Sequence, residues 1–440
     1  MKMIKNPFLH LLILLAIFIS ACKKKTKDED MIYPAITITK PGYGITYNMF
    51  DTIQVQVKVS DNNTLTKVTV GLTDMNKNAV QDAVVFTPNS TPLDINISYP
   101  ISNFHISSGF YYMMIYASDG QNEIQSARTI YIKTSPTVKM GYYIFTSGSN
   151  QHTLQKLDTN YASLGIVKNT GIYNGSVIAN YNHRLYLNGA VNRDFQAYDS
   201  GNNMVKWIKQ NSGSGAPYFS YCDTDKKNAF IGYYNGQLIK YDSDGNQLTS
   251  YSYPNSDYFP QYGSSAASKY LAQYQSKTNS LSKKLIVYDL NSGAALKELT
   301  INFTAVSVFE KSFDEVYILG NDNNNQGVLY VYTVSTGSLK SATSLNSGKI
   351  ICACMMDSNT LLFSMDDGNT YQYQFDVNNF SSIIEGELLT QIKYDEFEKF
   401  VYYSSNVQLK ICTLNNFKLS TIKTYNHSDT IRDFQIIYNK

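Results

Sequence analysis

Cys22 is the residue whose neighbours specify its chemistry most sharply. Its thiol follows Ile19-Ser20-Ala21, at the end of an apolar run from Leu9 to Ile19 broken only by His10 and preceded by Lys2 and Lys5. A basic start, a short apolar core and small residues before a cut site form a secretory leader. The core is too short to span a bilayer, which takes about 20 apolar residues. Catalytic chemistry finds no comparable pattern. The five histidines, His10, His105, His152, His183 and His427, stand in no His-Glu-x-x-His motif and beside no Gly-x-Ser-x-Gly motif. A peptidase needs a nucleophile-histidine pair and a glycosidase two facing carboxylates. No motif here supplies either, so the chain is not expected to be an enzyme, and a hydrolase has the least support among the alternatives.

Metal and redox chemistry are equally poorly served. Cys222, Cys352, Cys354 and Cys412 remain beside Cys22. Cys352 and Cys354 are two apart, so a strand points both to one face, a spacing poor for a local disulfide. No His or acidic cluster accompanies them in sequence, and they read as small buried strand residues. Asp242, Asp244 and Asn246 resemble the start of a calcium loop, but glycine falls at the fourth position and Tyr253 occupies the twelfth, where the loop needs Glu. Asn321–Asn325 and Asp366–Asn369 read as exposed loops. No metal and no cofactor is expected.

The Ile-Ser-Ala-Cys junction resembles a bacterial lipobox. That resemblance implies cleavage before Cys22, diacylation of its thiol, and anchoring of the chain by lipid. Residues 1–21 are then the signal peptide and 22–31 a tether, since Lys23-Lys24-Lys25-Thr26-Lys27-Asp28-Glu29-Asp30 holds no apolar residue and stays solvated. The acidic trio Asp28-Glu29-Asp30 resembles the export signal of Bacteroidetes-type surface lipoproteins. It implies an outer-membrane, surface-exposed protein, with a periplasm-facing anchor as the alternative.

The lipid must carry folded domains, and composition says which kind. Net charge is +2, from 37 basic and 35 acidic residues, so nothing favours nucleic acid as a partner. Charged residues make up only 16% while 37 residues are Tyr, which suits half-exposed pleated surfaces and an all-β exported protein. From 32 to 135, apolar residues step by two: Ile36 and Ile38; Ile53, Val55, Val57 and Val59; Val68, Val70 and Leu72. Turn clusters at Lys40-Pro41-Gly42, Ser60–Asn63 and Ser118-Asp119-Gly120 separate them, which predicts an antiparallel β-sandwich. Asp51–Asp61 and Tyr111–Asp119 resemble Ig-like or PKD-like modules of bacterial envelope proteins, and a spacer role follows from that.

Residues 138–440 repeat. Leu154–Asp158, Phe195–Asp199, Leu238–Asp242, Leu285–Asp289, Leu329–Thr333, Gln372–Asp376 and Leu409–Thr413 share one pattern, and their last residues lie 41, 43, 47, 44, 43 and 37 apart. A period near 40 to 45 is that of a four-stranded propeller blade. The first unit lacks an innermost strand and the chain ends on a spare one, Ile431–Tyr438. The expectation is a seven-bladed β-propeller closed by the C-terminal strand. The repeated Asp residues cap their own turns.

The second unit, Phe195–Trp207, resembles the repeat of quinoprotein-like propellers, which are also similar to WD40-like ones. Quinone-dependent dehydrogenases of this kind repeat a docking Trp, whereas Trp207 stands alone here, so the resemblance implies a scaffold. Together these features resemble multidomain accessory lipoproteins that stand beside TonB-dependent outer-membrane transporters in nutrient uptake, capturing glycans or peptides. The alternative is a structural or adhesion lipoprotein whose propeller docks another envelope protein. The loops at one mouth of the channel join outermost to innermost strands or join the middle strands, and they carry the candidate ligand-binding residues Tyr173, Arg193, Tyr218, Tyr253 and Tyr258. Their rings stack on a sugar face or peptide while polar neighbours bond its edges.

Overall fold

The computed structural model describes residues 30–147, 152–171, 173–213, 217–345, 348–415 and 417–440. The leader, Cys22 and most of the tether lie outside the described residues. The chain divides into two compact units, Met1–Pro136 and Thr137–Lys440. The structure is all-β, with a single short 3-10 turn, Asn180–Asn182, as the helical element among the described residues.

The first unit packs two sheets around one core. One sheet has the order Ala35–Lys40, Thr52–Ser60, Leu93–Pro100. The other runs Thr46–Asn48, Glu123–Lys133, Gly109–Ser118, Lys67–Thr73, Val84–Phe86, with its first pair parallel. The alternation read from sequence explains the layering. Ile53, Val55, Val57 and Val59 from one sheet meet Val68, Val70, Leu72, Met113 and Ile115 from the other, all almost wholly buried.

Among the described residues, the second unit forms seven four-stranded antiparallel sheets. Each repeated segment lies in the third strand of its sheet, for example Phe195–Asp199 and Lys283–Asp289. The innermost strands are, in ring order, Thr430–Tyr438, Tyr173–Ala179, Phe219–Thr224, Tyr258–Ala266, Phe303–Glu310, Ile350–Met355 and Gln391–Asp395. Each touches the next, and the last returns to the first. Sheets radiating from such a ring make a β-propeller.

The C-terminal strand Thr430–Tyr438 completes the sheet that begins with Lys139–Ser147, pairing antiparallel from Thr430↔Ser147 to Tyr438↔Lys139. Between sheets the core is aromatic. Phe230 stacks on Tyr270 with ring centroids 4.0 Å apart, and Tyr317 on Phe375 at the same separation. Rings of this size fill the wedge between splayed sheets at modest entropic cost.

The repeated aspartates hold turns, as their positions suggest. Asp242 Oδ1 accepts from the backbone N–H of Asp244 and of Asn246, and its Oδ2 accepts from Asn246 Nδ2. Asp199 does the same for Gly201 and Asn202, and Asp289 for Asn291 and Ser292. Those bonds hold the Asp289 carboxyl down at about 2, the Ser292 backbone N–H contributing most. Carboxylates so fully committed to their own turns are structural.

Candidate functional site

The inner strands enclose a channel, and its side chains are unlike those of the sheet interfaces. A recess of about 380 Å³ at one mouth is lined by Ser176, Asn188, Ser220, Gln261, Arg432 and Asp433, among others. A larger space of about 830 Å³ runs past Val306, Ile351, Cys354 and Lys393. The centre of the polar recess is Asp433, only 8% exposed. Its Oδ2 accepts from Ser176 N at 3.1 Å and Ser176 Oγ at 2.5 Å, and Gln435 Nε2 donates to both carboxylate oxygens. Gln435 Oε1 in turn accepts from Lys393 Nζ at 2.6 Å. Burial pulls the Lys393 ammonium below the ordinary lysine range, against the opposing pull of Asp433.

This network also ties the ring shut. Ser176 belongs to one neighbour of the C-terminal strand and Lys393 to the other. Gln391 Oε1 accepts from Phe434 N at 2.9 Å, and Thr390 Oγ1 donates to the Ile431 carbonyl at 3.1 Å. Similar ties recur elsewhere: Gln273 Oε1 accepts from Ala305 N, and Asn321 brackets Ile350 through both its amide atoms. A buried amide that satisfies the next sheet's backbone stabilises the interface and fixes its register.

Nucleophiles are suppressed. Burial pushes the Cys352 thiol up to about 12 and raises those of Cys222 and Cys354 further. Cys352 and Cys354 pack into one apolar cluster with Leu389, Ile392 and Val401. The histidines whose bonds are defined hold loops. His152 Nδ1 accepts from Tyr173 N, and His427 Nδ1 accepts from Asp429 N while its Nε2 meets Gln155 Oε1. Burial lifts the Asp223 carboxyl to about 7. Tyr270 Oη donates to it at 3.4 Å and is itself bonded to Tyr221 Oη at 3.0 Å.

The five rim residues named from sequence do not converge on one spot. Tyr173 is not on a loop: it opens an inner strand, is 4% exposed, and packs in a core cluster with Phe145 and Leu187. Its hydroxyl donates to Gln196 Oε1. The expected loop runs one residue too far, since the inner strand already begins at Tyr173. Tyr218 is half-buried against Phe219 and Tyr233. Arg193 is exposed on its own turn. Tyr253 and Tyr258 do come together, with their rings edge-to-face at 5.5 Å. Tyr253 Oη donates to Glu298 Oε1 at 3.0 Å, and burial with that carboxylate pushes the phenol up to about 12. Tyr258 Oη meets Ser282 Oγ at 2.7 Å.

Sequence reasoning missed Asp433, Ser176, Asn188 and Gln261. Three of them sit on inner strands that show no clean alternation. The pairing of Ser176 with Asp433 spans 257 residues. It also missed an acidic group in the first unit, where Asp30, Asp61 and Asp119 each place a carboxylate oxygen within 4.8 Å of the others. Loop amides already serve that group, since Asn62 Nδ2 and Asn63 Nδ2 donate to Asp30, and the backbone N–H groups of Gln121 and Asn122 to Asp119.

No protein-family model matches the chain, and no curated protein matches it. Solved structures do. A quinonprotein alcohol dehydrogenase-like protein from Bacteroides thetaiotaomicron is 14% identical, covers 93% of this chain and 99% of its own, and gives a TM-score of 0.46. The β-propeller domain of Cps50 (Swd1) from Myceliophteria thermophila is 10% identical over 60% of this chain and 90% of its own, with a TM-score of 0.45. The assignment of the propeller stands on the sheet order and the closed ring of inner strands.

Proposed function

We propose that this chain is a non-catalytic, lipid-anchored protein of the bacterial outer membrane, with an Ig-like spacer carrying a seven-bladed propeller that captures ligand. The observation that carries this reading is Asp433. Its buried carboxylate, held by four hydrogen bonds from Ser176 and Gln435, sits in a polar recess where Asn188 Oδ1 and Ser220 Oγ have no hydrogen-bond partner among the described residues, which supports a bound polar ligand. The spacer reading draws on the strand order of the first unit and on Tyr111, whose hydroxyl donates to the Ser107 carbonyl near the start of its strand at 2.7 Å. Capture of glycans or peptides beside a TonB-dependent transporter is the role that suits such a module. A second reading, docking of another envelope protein, is favoured by Phe313, 88% exposed on the hairpin between Phe303–Glu310 and Glu315–Asp322.

Two measurements test the proposal. Cys22→Ser should release the protein from membranes into the soluble fraction. Retention of that variant, or maturation insensitive to globomycin, contradicts lipid anchoring. A glycan and peptide array, run beside a pulldown from solubilised outer membrane, separates the two readings, and silence in both removes the binding module. For array ligands that engage the aromatic rim, Tyr253→Ala or Tyr258→Ala should weaken binding by more than about 1 kcal/mol. Unchanged affinity in both places the contact elsewhere.

A further inference from the structure

Six of the seven inner strands carry one residue more than the strand they pair with, at corresponding places. Asn174 falls between the pairs Tyr173↔Gly189 and Gly175↔Asn188, and Ser220 between Phe219↔Tyr233 and Tyr221↔Gly232. Gln261 falls between Pro260↔Tyr274 and Tyr262↔Gln273, and Val306 between Ala305↔Gly320 and Ser307↔Leu319. Ile351 and Arg432 complete the set, inside Ile350↔Met365 and Cys352↔Ser364, and inside Ile431↔Thr146 and Asp433↔Phe145. The pairing of Gln391–Asp395 runs without such a shift. The extra residue of a bulge has no partner across the ladder, and its side chain is re-aimed. All six line the two channel spaces.

Their order round the ring is not mixed. Arg432, Asn174, Ser220 and Gln261 occupy four consecutive inner strands, and Val306 and Ile351 the next two. The mouth therefore has a polar arc and an apolar arc. Behind the polar arc stands Asn188, 2% exposed, whose Oδ1 has no hydrogen-bond partner; Ser220 Oγ, also buried, has none either. Buried polar atoms that face a recess in this state can be satisfied by an ordered water or by a polar ligand. Gln261 Oε1 is taken by Gln273 Nε2 at 3.0 Å, so its own amide N–H groups are what it offers a ligand. Arg432 Nε is fixed on Ser147 Oγ at 2.8 Å. Acceptors thus lie at the back of the recess and donors at its edge, and the Arg432 cation offsets the Asp433 anion beside it.

We infer that the polar arc is a subsite for an uncharged, polyhydroxylated ring of monosaccharide size. Its hydroxyls donate toward Asn188, Ser220 and Asp433 and accept from Gln261 and Arg432. A recess of about 380 Å³ accommodates one such ring, and a charge-balanced lining gives no advantage to an anion or a cation. The subsite rests on the reading of the propeller as a ligand-capturing module and names what one part of it holds.

The test uses the mature full-length protein with glucose, galactose, mannose and N-acetylglucosamine as probes, against glycine and glutamate, at millimolar concentration by saturation-transfer NMR and calorimetry. At least one of the sugars should give saturation transfer. Arg432→Ala and Gln261→Ala should each lower its affinity ~10-fold, while Met204→Ala, at an exposed turn away from the recess, leaves it unchanged. Arg432 is exposed, so its removal spares the fold, and an unchanged melting temperature checks this. Silence from all four sugars, preference for glycine or glutamate, or wild-type affinity in both variants overturns the subsite. Array or pulldown capture that persists in those variants leaves the broader binding reading standing while the subsite falls.

Discussion

Deleting Ile431–Lys440 should abolish soluble, protease-resistant propeller. The deletion removes Ile431, Phe434, Ile436 and Ile437, each at most 6% exposed. Burying one such side chain stabilises by about 1.5–3 kcal/mol, so the four together contribute on the order of 6–12 kcal/mol. That is comparable to the whole stability of a domain, about 5–15 kcal/mol. The loss does not stop at apolar area. Asp433, Gln435 and the backbone groups of Ile431 and Phe434 hold both neighbouring sheets, and their removal strands Ser176, Lys393 and Gln391 without partners. The strand Lys139–Ser147 becomes an open edge, a template for association with other chains. Limited proteolysis and a thermal melt read the outcome, and a truncated protein melting at the wild-type temperature refutes closure by this strand. Phe434→Ala, a smaller perturbation, should cost about 3–5 kcal/mol.

The second large effect concerns Asp223. Its carboxyl titrates near 7 in the folded protein, because burial in the wall between two sheets disfavours the charged form and Asp225 adds like-charge repulsion. Backbone N–H groups of Thr224 and Ser265 and the hydroxyl of Tyr270 oppose that rise without overcoming it. Tyr221 and Tyr262, the other titratable groups packed there, are held neutral by burial. In the unfolded chain the same carboxyl titrates near 3.8. Between those values the folded state keeps a proton that the unfolded state has released, so this group's contribution is fully present below about 3.8 and is lost as pH rises through about 7. Asp223→Asn removes the ionisable group while keeping its size. The variant should therefore be more stable than wild type at pH 8, on the order of 2 kcal/mol, and nearly matched at pH 4. Denaturant midpoints across that interval provide the measurement, and parallel wild-type and variant profiles rule the effect out.

The two predictions draw on parts of the molecule that differed in legibility. The third strand of each propeller sheet was readable because an apolar run ends in Asp or Thr beside a turn, and Asp158, Asp199, Asp242 and Asp289 cap that turn themselves. The sandwich strands were readable because one face meets a core and the other meets solvent. Inner strands obey neither rule, having sheet neighbours on both faces and a channel along one edge. Tyr258–Ala266 is the clearest case. It holds Pro260, Gly263, Ser264 and Ser265 and looks like loop, yet a side chain at Gly263 would collide with the hydroxyls of Tyr221 and Tyr270. The bulges were invisible for the same reason, since a single added residue leaves no signature where no alternation exists to interrupt. Cys352 and Cys354 show the converse, because spacing alone placed both on one face and they share one cluster.

The join between the two ends of the propeller has a consequence in time as well as in space. Arg432 and Ser147 are 285 residues apart in the chain and bonded in the fold. A polypeptide that emerges from its amino end therefore presents Lys139–Ser147 early and supplies the strand that covers it last. Every intermediate length carries an unfinished first sheet, and contacts of such high sequence separation form slowly. Chains that stop short of Thr430–Tyr438 retain an adhesive edge, and only a chain that extends through that strand can bury it.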